Sequence, residues 1–307
     1  MSHQRTHFLP QWITGSSAGH SQKEKIDFSK YSDDQLLDSF KSSNWSKLED
    51  SDRLAVVQEI ENRNAAAQGR KPAKVQYETD PNCFGAYNDN KNVMRIEVSN
   101  TPAPEVLDTY VHESNHAYQS YCVKNGIVYD EHTRSMMQAE NARNSSGKLY
   151  NYATKSPQYD IQCNEMDSNN AAARVMCSQY ERFKDDPEYR AYIDRRAEHF
   201  NAVNNEIKYD PDCRTELQND QVERAYMHGD LSEEQHNALI KEINDETYVD
   251  SVTKDSYAVG DQINNISYQL HQEYDSQNNT YAPESESEVP EQTEPMQTVD
   301  TVDYSPE

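Results

Sequence analysis

Two histidines and a glutamate stand together at residues 112–116, in the order His-Glu-Ser-Asn-His. At about 100° per residue, His112 and His116 would lie about 40° apart around a helix, so both imidazoles would point the same way. Two neutral imidazoles on one face favour zinc, and zinc lowers the pKa of a bound water to about 7. Glu113 would then accept a proton from that water and pass it to a leaving amine. The motif therefore predicts metal-assisted hydrolysis.

A helix must hold these residues. Thr101 and Pro102 form a plausible start, as N-cap and first helical residue, and Asn125-Gly126 forms a stop. Apolar residues recur between these limits at helical spacing, at positions 106, 107, 110, 111, 117 and 118. The pattern predicts one long, partly buried helix with the motif near its middle.

Short strands are predicted before this helix. Val75 and Tyr77 lie in a first strand, Phe84 and Ala86 in a second, and the alternating apolar residues of 94–98 in a third. The residues Asn-Asp-Asn-Lys at 88–91 are typical of a turn, and they predict one between two strands. We therefore expect a small antiparallel sheet beside the helix.

The order of strand, turn, strand and H-E-x-x-H helix, followed by an acidic residue on a later helix, resembles the zincin metallopeptidases of the gluzincin type. A closer resemblance is to small bacterial domains predicted to be metallopeptidases, with the motifs H-E-S-x-H-A-Y-Q and Q-P-x-E-x-D-A. Residues 112–119 read H-E-S-N-H-A-Y-Q, and residues 162–168 read Q-C-N-E-M-D-S. The second motif differs at Cys163 and Ser168. The resemblance covers about residues 30–185.

The resemblance implies that Glu165 is the third zinc ligand and that water takes the fourth position. The residues agree with this assignment, because Glu165 lies near the start of a helix predicted over 163–183, where the helix dipole favours an anion. Asp160, Asp167 and His132 are alternative third ligands. Asp167 would lie about 200° from Glu165 around the same helix, so we interpret it as a hydrogen-bond acceptor that orients a ligating imidazole.

The chain is strongly acidic, with 54 Asp and Glu against 29 Lys and Arg and a formal charge of −25. It lacks the basic surface that binding to a phosphate backbone needs, so nucleic acid is excluded as an expected partner. There is no apolar run of about 18 residues and no Sec-type signal peptide, so we expect no membrane span. Five cysteines without a C-x-x-C pair argue against a disulfide framework. The expected location is the cytoplasm, or outside the cell after export without a Sec signal.

The predicted fold class is α+β, mostly helical and zincin-like, with a small antiparallel sheet and an active-site helix. The predicted domains are a disordered leader at 1–26, a zincin-like domain at 27–212, a helical C-terminal extension at 213–275 and a disordered acidic tail at 276–307. The tail prediction rests on eight acidic residues and no Lys or Arg within 280–307. A polar segment at about 130–160 is a candidate lid or substrate-facing loop.

Two functions compete on this sequence. The first is zinc-dependent hydrolysis of a peptide or protein substrate, with the strand at 94–98 pairing with the extended substrate. The alternative is a non-catalytic, acidic helical interaction module with a structural or vestigial metal site. Metal content and the effect of changing Glu113 would distinguish them.

Overall fold

A computed structural model describes residues 26–127, 159–245 and 248–279 of the chain. These residues are mostly helical with one small sheet, so the predicted α+β class is confirmed. After a 3₁₀-helix at Phe28–Lys30, the described residues form, in chain order, α1 (Asp33–Asp38), α2 (Ser42–Trp45), α3 (Asp50–Ala67), β1 (Lys74–Tyr77), β2 (Gly85–Asn88), β3 (Val93–Ile96), α4 (Ala103–Asn125), α5 (Cys163–Ser178), α6 (Tyr180–Phe183), α7 (Pro187–Tyr209), α8 (Pro211–Met227), α9 (Glu233–Ile243) and α10 (Ser251–Asn279).

The sheet is mixed, with the strand order β1-β3-β2. Strand β2 pairs antiparallel with β3, with Gly85 opposite Ile96, but β1 runs parallel to β3, with Val75 opposite Met94. The small sheet is thus confirmed, whereas antiparallel pairing throughout is wrong. Strand direction alternates along the chain, so β1 and β3 point the same way, and β1 pairs with β3 rather than with its sequence neighbour β2.

The position of β3 also corrects the predicted substrate contact. Strand β3 has a neighbour on each side, so its backbone is already paired and cannot add an extended peptide. The expectation that the strand at 94–98 binds substrate is therefore wrong. Within the described sheet, β2 is the edge strand nearest to α4, and a Cβ at its Gly85 would lie 3.2 Å from Cγ of Glu113.

Helix α4 carries the H-E-x-x-H motif and ends where the sequence predicts. Gly126 follows its last residue with φ 62° and ψ 31°, the left-handed conformation that glycine adopts at little cost, and its N–H bonds to the carbonyl of Cys122. Pro102 is the N-cap, so the helix begins at Ala103, one residue later than predicted. Val106, Leu107 and Tyr110 are buried in the main core, which fixes the side of the helix that faces the protein.

A buried ion pair fixes α4 against α3. Arg70 donates to both carboxylate oxygens of Glu61, at 2.6 and 3.0 Å, and also to Oγ of Ser114 at 2.8 Å. Ser114 in turn donates to Glu61 at 3.0 Å. All three residues are buried, and a buried ion pair is tolerated when its polar atoms are bonded in this way. Because Ser114 follows Glu113 directly, the network also restrains the backbone at the motif.

The C-terminal helices pack against the start of α5. Arg214 of α8 donates to the carbonyl of Ile161 and to Asp250, whose carboxylate accepts the N–H of Thr253 at the start of α10. Val259 and Ile263 of α10 belong to the same core as Tyr110. Segments beyond residue 212, the predicted end of the zincin-like domain, therefore contribute to the packing around α4 and α5.

Several expectations fall outside the described residues. The predicted leader lies outside them up to residue 25, and the polar segment at about 130–160 lies outside them up to residue 158. The predicted tail lies outside them from residue 280 onward, whereas its first residues, 276–279, form the last turn of α10. His132 lies in the second of these segments. Within the described residues, none of the helices combines the length and the apolar composition that crossing a membrane requires.

Candidate metal centre

Helices α4 and α5 bring His112, His116 and Glu165 together. The Nε2 atoms of the two histidines are 3.1 Å apart, and Oε2 of Glu165 lies 3.2 Å from His112 Nε2 and 3.5 Å from His116 Nε2. We call these three atoms the ligand triangle. The histidines are one turn apart on α4, and Glu165 lies in the first turn of α5.

The dimensions of the ligand triangle fit one small metal ion. A tetrahedral zinc ion with bonds of about 2.0–2.1 Å holds its ligand atoms about 3.3–3.4 Å apart. Two of the observed separations, 3.1 and 3.2 Å, are slightly shorter than this value, and the third, 3.5 Å, is slightly longer. Two imidazoles and one carboxylate are also an established donor set for a divalent metal. The cluster could therefore hold a metal ion.

The triangle is accessible from one side. Glu165 is 3% exposed, whereas the side chains of His112 and His116 are 16% and 18% exposed. Solvent therefore reaches the imidazole side of the cluster, while the carboxylate is enclosed.

Glu165 and His116 stabilise each other's charge. Burial by itself would raise the pKa of Glu165, but the charge of His116 and hydrogen bonds from both histidines hold it well below its ordinary value. Burial likewise disfavours the charged form of His116, yet the Glu165 carboxylate raises the pKa of that imidazole to about 10. A metal ion that binds here must displace a proton from His116, so its affinity should fall as the pH falls.

Glu113 follows His112 on α4, is buried, and is close enough to the triangle to interact electrostatically with all three of its residues. Burial raises its pKa, and the negative charge of Glu165 acts in the same direction, while the two histidines and the backbone of Tyr87 oppose the shift. The raised pKa makes the carboxylate a stronger base than an ordinary one and moves its pKa towards neutral pH, the range in which one group can both accept and release a proton. Its environment therefore suits proton transfer.

Gln119 contacts the imidazole of His116 on the side away from the triangle. Its Oε1 lies 2.9 Å from His116 Nδ1, while its Nε2 donates to Asp167 at 2.8 Å and to the carbonyl of Asn164 at 2.9 Å. A carboxylate and a carbonyl can only accept, so the amide nitrogen must face them and the amide oxygen must face His116. His116 Nδ1 is thereby the donor, and Nε2 is the nitrogen that can bind a metal.

Replacing Gln119 by leucine is expected to weaken zinc binding about 10–100-fold, because His116 loses the acceptor that fixes its tautomer and ring orientation. The dissociation constant would be measured by competition with a chelator of known affinity. Gln272→Leu, which changes an exposed glutamine on α10, is the control and should bind zinc as the wild type does. Unchanged affinity in a folded Gln119→Leu variant would refute this role for Gln119.

The close approach of β2 to α4 depends on Gly85. A Cβ at this position would lie 2.5 Å from Cγ2 of Thr109 and 3.2 Å from Cγ of Glu113. The first of these distances is shorter than any normal carbon–carbon contact. Glycine is therefore needed where the edge strand passes the motif.

Gly85→Ala is expected to destabilise the protein by about 1–3 kcal/mol, the usual effect of overpacking. Thr109→Ser removes the methyl group that the new Cβ would strike, so the double variant should recover part of this loss. Free energies of unfolding for the two single variants and the double variant form a double-mutant cycle. A Gly85→Ala variant as stable as the wild type would contradict the contact.

The structure does not bring every predicted site residue into the triangle. Asp167 reaches His116 through Gln119, so the predicted orienting acceptor acts one residue further away. Among the described residues, Asp160 and Asp167 are not part of a cluster with metal-binding geometry, and His132 lies outside those residues. Gln119 is a functional residue to which the sequence motifs alone give no role. Its spacing of three residues from His116 is the signal that places it on the same face.

Comparisons of the chain with models of known protein families, with curated proteins and with solved structures find no match. The resemblance to zincin peptidases therefore rests on the two motifs, at residues 112–119 and 162–168, and on the order of the elements that carry them.

Proposed function

We propose that the protein is a zinc-dependent hydrolase of peptide bonds. One observation carries this proposal: a His112, His116 and Glu165 triangle of metal-binding size lies beside the buried Glu113. A structural metal site is normally closed by four protein ligands, whereas a catalytic zinc keeps one position open. Among the described residues the site has three protein ligands, with a carboxylate base beside them, which favours a catalytic site.

The residues would divide the reaction between them. A bound zinc ion would supply Lewis acidity, which polarises the scissile carbonyl and makes water more acidic. Glu113 would take a proton from the attacking water as its oxygen bonds to the carbonyl carbon. The same carboxyl group would then give this proton to the amine as the carbon–nitrogen bond breaks. His112, His116 and Glu165 would hold the metal, and Gln119 would keep His116 in the binding tautomer.

The edge strand β2 supports an extended polypeptide as the substrate. Glu97 N donates to the carbonyl of Phe84, and in an antiparallel pair such bonded positions alternate. The backbone groups of Gly85 and Tyr87 consequently point away from β3. An extended chain that added there as a further strand would replace two bonds, the one from Cys83 Sγ to the Gly85 carbonyl at 3.0 Å and the one between the Tyr87 backbone and Glu113, and its side chains would give only modest sequence preference.

A cleavage assay tests the proposal. The zinc-loaded chain would be incubated with casein and with a mixture of synthetic peptides, and new amino termini would be identified by mass spectrometry. We expect cleavage that stops when a chelator removes the metal and returns when zinc is restored. His112→Ala, which lacks one ligand, is the matched inactive control. A fully zinc-loaded wild type that cleaves none of these substrates would favour the non-catalytic interaction module.

A further inference from the structure

Arg196 of α7 lies between the two helices that carry the ligand triangle. Its guanidinium donates to the side-chain oxygen of Asn169 at 3.2 and 3.3 Å, and to the carbonyl of the same residue at 3.2 Å. Its Nε lies 3.6 Å from Oδ1 of Asp108. The side chain is 14% exposed. One largely buried cation therefore contacts both α4 and α5.

The contacted residues stand in a regular relation to the ligands. Asp108 precedes His112 by four residues on α4, and Asn169 follows Glu165 by four residues on α5. Residues four apart on a helix lie on the same face, one turn from each other. Arg196 thus contacts each ligand helix one turn away from its metal-binding residue.

Asp108 is itself held in place. The hydroxyl of Tyr192, a buried residue one turn earlier on α7, donates to Asp108 Oδ1 at 2.7 Å. The carboxylate of Asp108 also offsets the positive charge of Arg196, which would otherwise oppose a cation bound nearby. The planar guanidinium donates to Asn169 while its Nε lies at ion-pair distance from Asp108, an arrangement that a lysine ammonium on a flexible stem reproduces less well.

We infer that Arg196 is a positioning residue, which sets the separation of α4 and α5 and thereby the size of the ligand triangle. The inference rests on the metal-binding part of the proposed function and not on peptide hydrolysis. In a chain without this bridge, Gln119 still joins α4 to Asn164 and Asp167 of α5, but one of the links that fix the two helices is lost, so Glu165 can shift relative to the two histidines. The triangle then binds a metal ion less tightly, although each ligand is still present.

The test compares neighbouring arginines on α7. Arg196→Met keeps the length of the side chain but removes its donors, and Arg196→Lys keeps the charge but not the planar fork. Arg195→Met is the control, because Arg195 pairs with Glu105 on α4 and its side chain is 51% exposed. Zinc affinity would be measured by chelator competition, Co²⁺ coordination by visible absorption, and stability by thermal unfolding of the metal-free chain.

Both Arg196 variants should bind zinc about 10–100-fold more weakly, the usual effect of losing a residue that supports a metal ligand, and their Co²⁺ spectra should change. Arg195→Met should match the wild type in both readouts. Lower thermal stability with unchanged zinc affinity would overturn the inference, because a residue important only for folding gives that result.

A second variant covers the case in which the Arg196 variants do not fold. Asn169→Ala removes the two bonds to the side-chain oxygen on α5 and leaves the bond to the backbone carbonyl of that residue and the contact on α4, so it should weaken zinc binding in the same direction but by less. A folded Asn169→Ala variant with wild-type affinity would then overturn the inference. If the wild-type chain bound no zinc, the proposed metal site itself would be refuted. If the wild type and the variants bound zinc with equal affinity, only the role of Arg196 would be refuted.

Discussion

A Glu113→Gln variant is expected to keep its bound zinc and to lose peptide hydrolysis by at least about 10²–10⁴-fold, the contribution of a general acid–base. The amide has nearly the shape of the carboxylate, so the variant should fold, but it cannot accept the proton of the attacking water. The measurements are zinc content by elemental analysis and kcat/KM on a peptide identified in the cleavage assay.

Glu105→Gln is the matched control for this experiment. It makes the same chemical change on the same helix, at a partly exposed residue of the first turn that pairs with Arg195. We expect it to hydrolyse peptides at the wild-type rate. If Glu113→Gln kept both its zinc and its hydrolytic rate, Glu113 would not be the base. If a binding function persisted unaltered in a chain that never hydrolyses peptides, the interaction module would be favoured.

Glu165→Ala is expected to lose most of its bound zinc, with a loss of affinity larger than the about 10–100-fold that an outer supporting residue contributes. The change removes the one anionic ligand of the triangle and leaves two imidazoles, which is too few protein ligands for a stable zinc site. Elemental analysis of the purified wild type and variant, after excess zinc is removed, measures the effect directly.

Glu181→Ala provides the comparison for Glu165→Ala. Glu181 is exposed on α6 and forms an ion pair with Lys184 at the protein surface, where such pairs contribute little to stability. Its loss should therefore leave the zinc content unchanged. Full zinc retention in Glu165→Ala would show that the third ligand is another residue, with Asp160, Asp167 and His132 as the alternatives to examine next. Absence of zinc from the wild type, even after zinc is supplied, would refute the site as a whole.

Local features of this protein follow from the sequence because they depend on residues close together in the chain. Ser32 predicts the start of α1, and its hydroxyl accepts the N–H of Gln35 while its own N–H donates to the Gln35 side chain. The end of α4 at Gly126 follows from the same kind of reasoning. The spacing of His112 and His116 likewise places both imidazoles on one face, because helix geometry alone determines that relation.

The ends of longer helices are predicted less exactly from the sequence. The apolar spacing predicts a single helix over residues 163–183, but the chain leaves helical geometry at Gln179, between the end of α5 and the start of α6. Gln179 has φ −94° and ψ 10°, outside the helical region, and no glycine or proline marks the position. The apolar spacing continues across Gln179, because both pieces face the same core.

Relations between distant segments were decided only by the tertiary structure. Alternating apolar residues identify β3 as a strand, but its central place in the sheet depends on β1 crossing to its far side. Helix spacing also cannot choose Glu165 over Asp160 or Asp167, because about 50 residues separate them from the histidines. That choice follows from the packing of α5 on α4, in which Gln119 contacts Asp167 and Arg196 bridges Asp108 and Asn169. The sequence determined the chemistry that each helix carries, whereas side-chain packing between helices determined which of those groups meet.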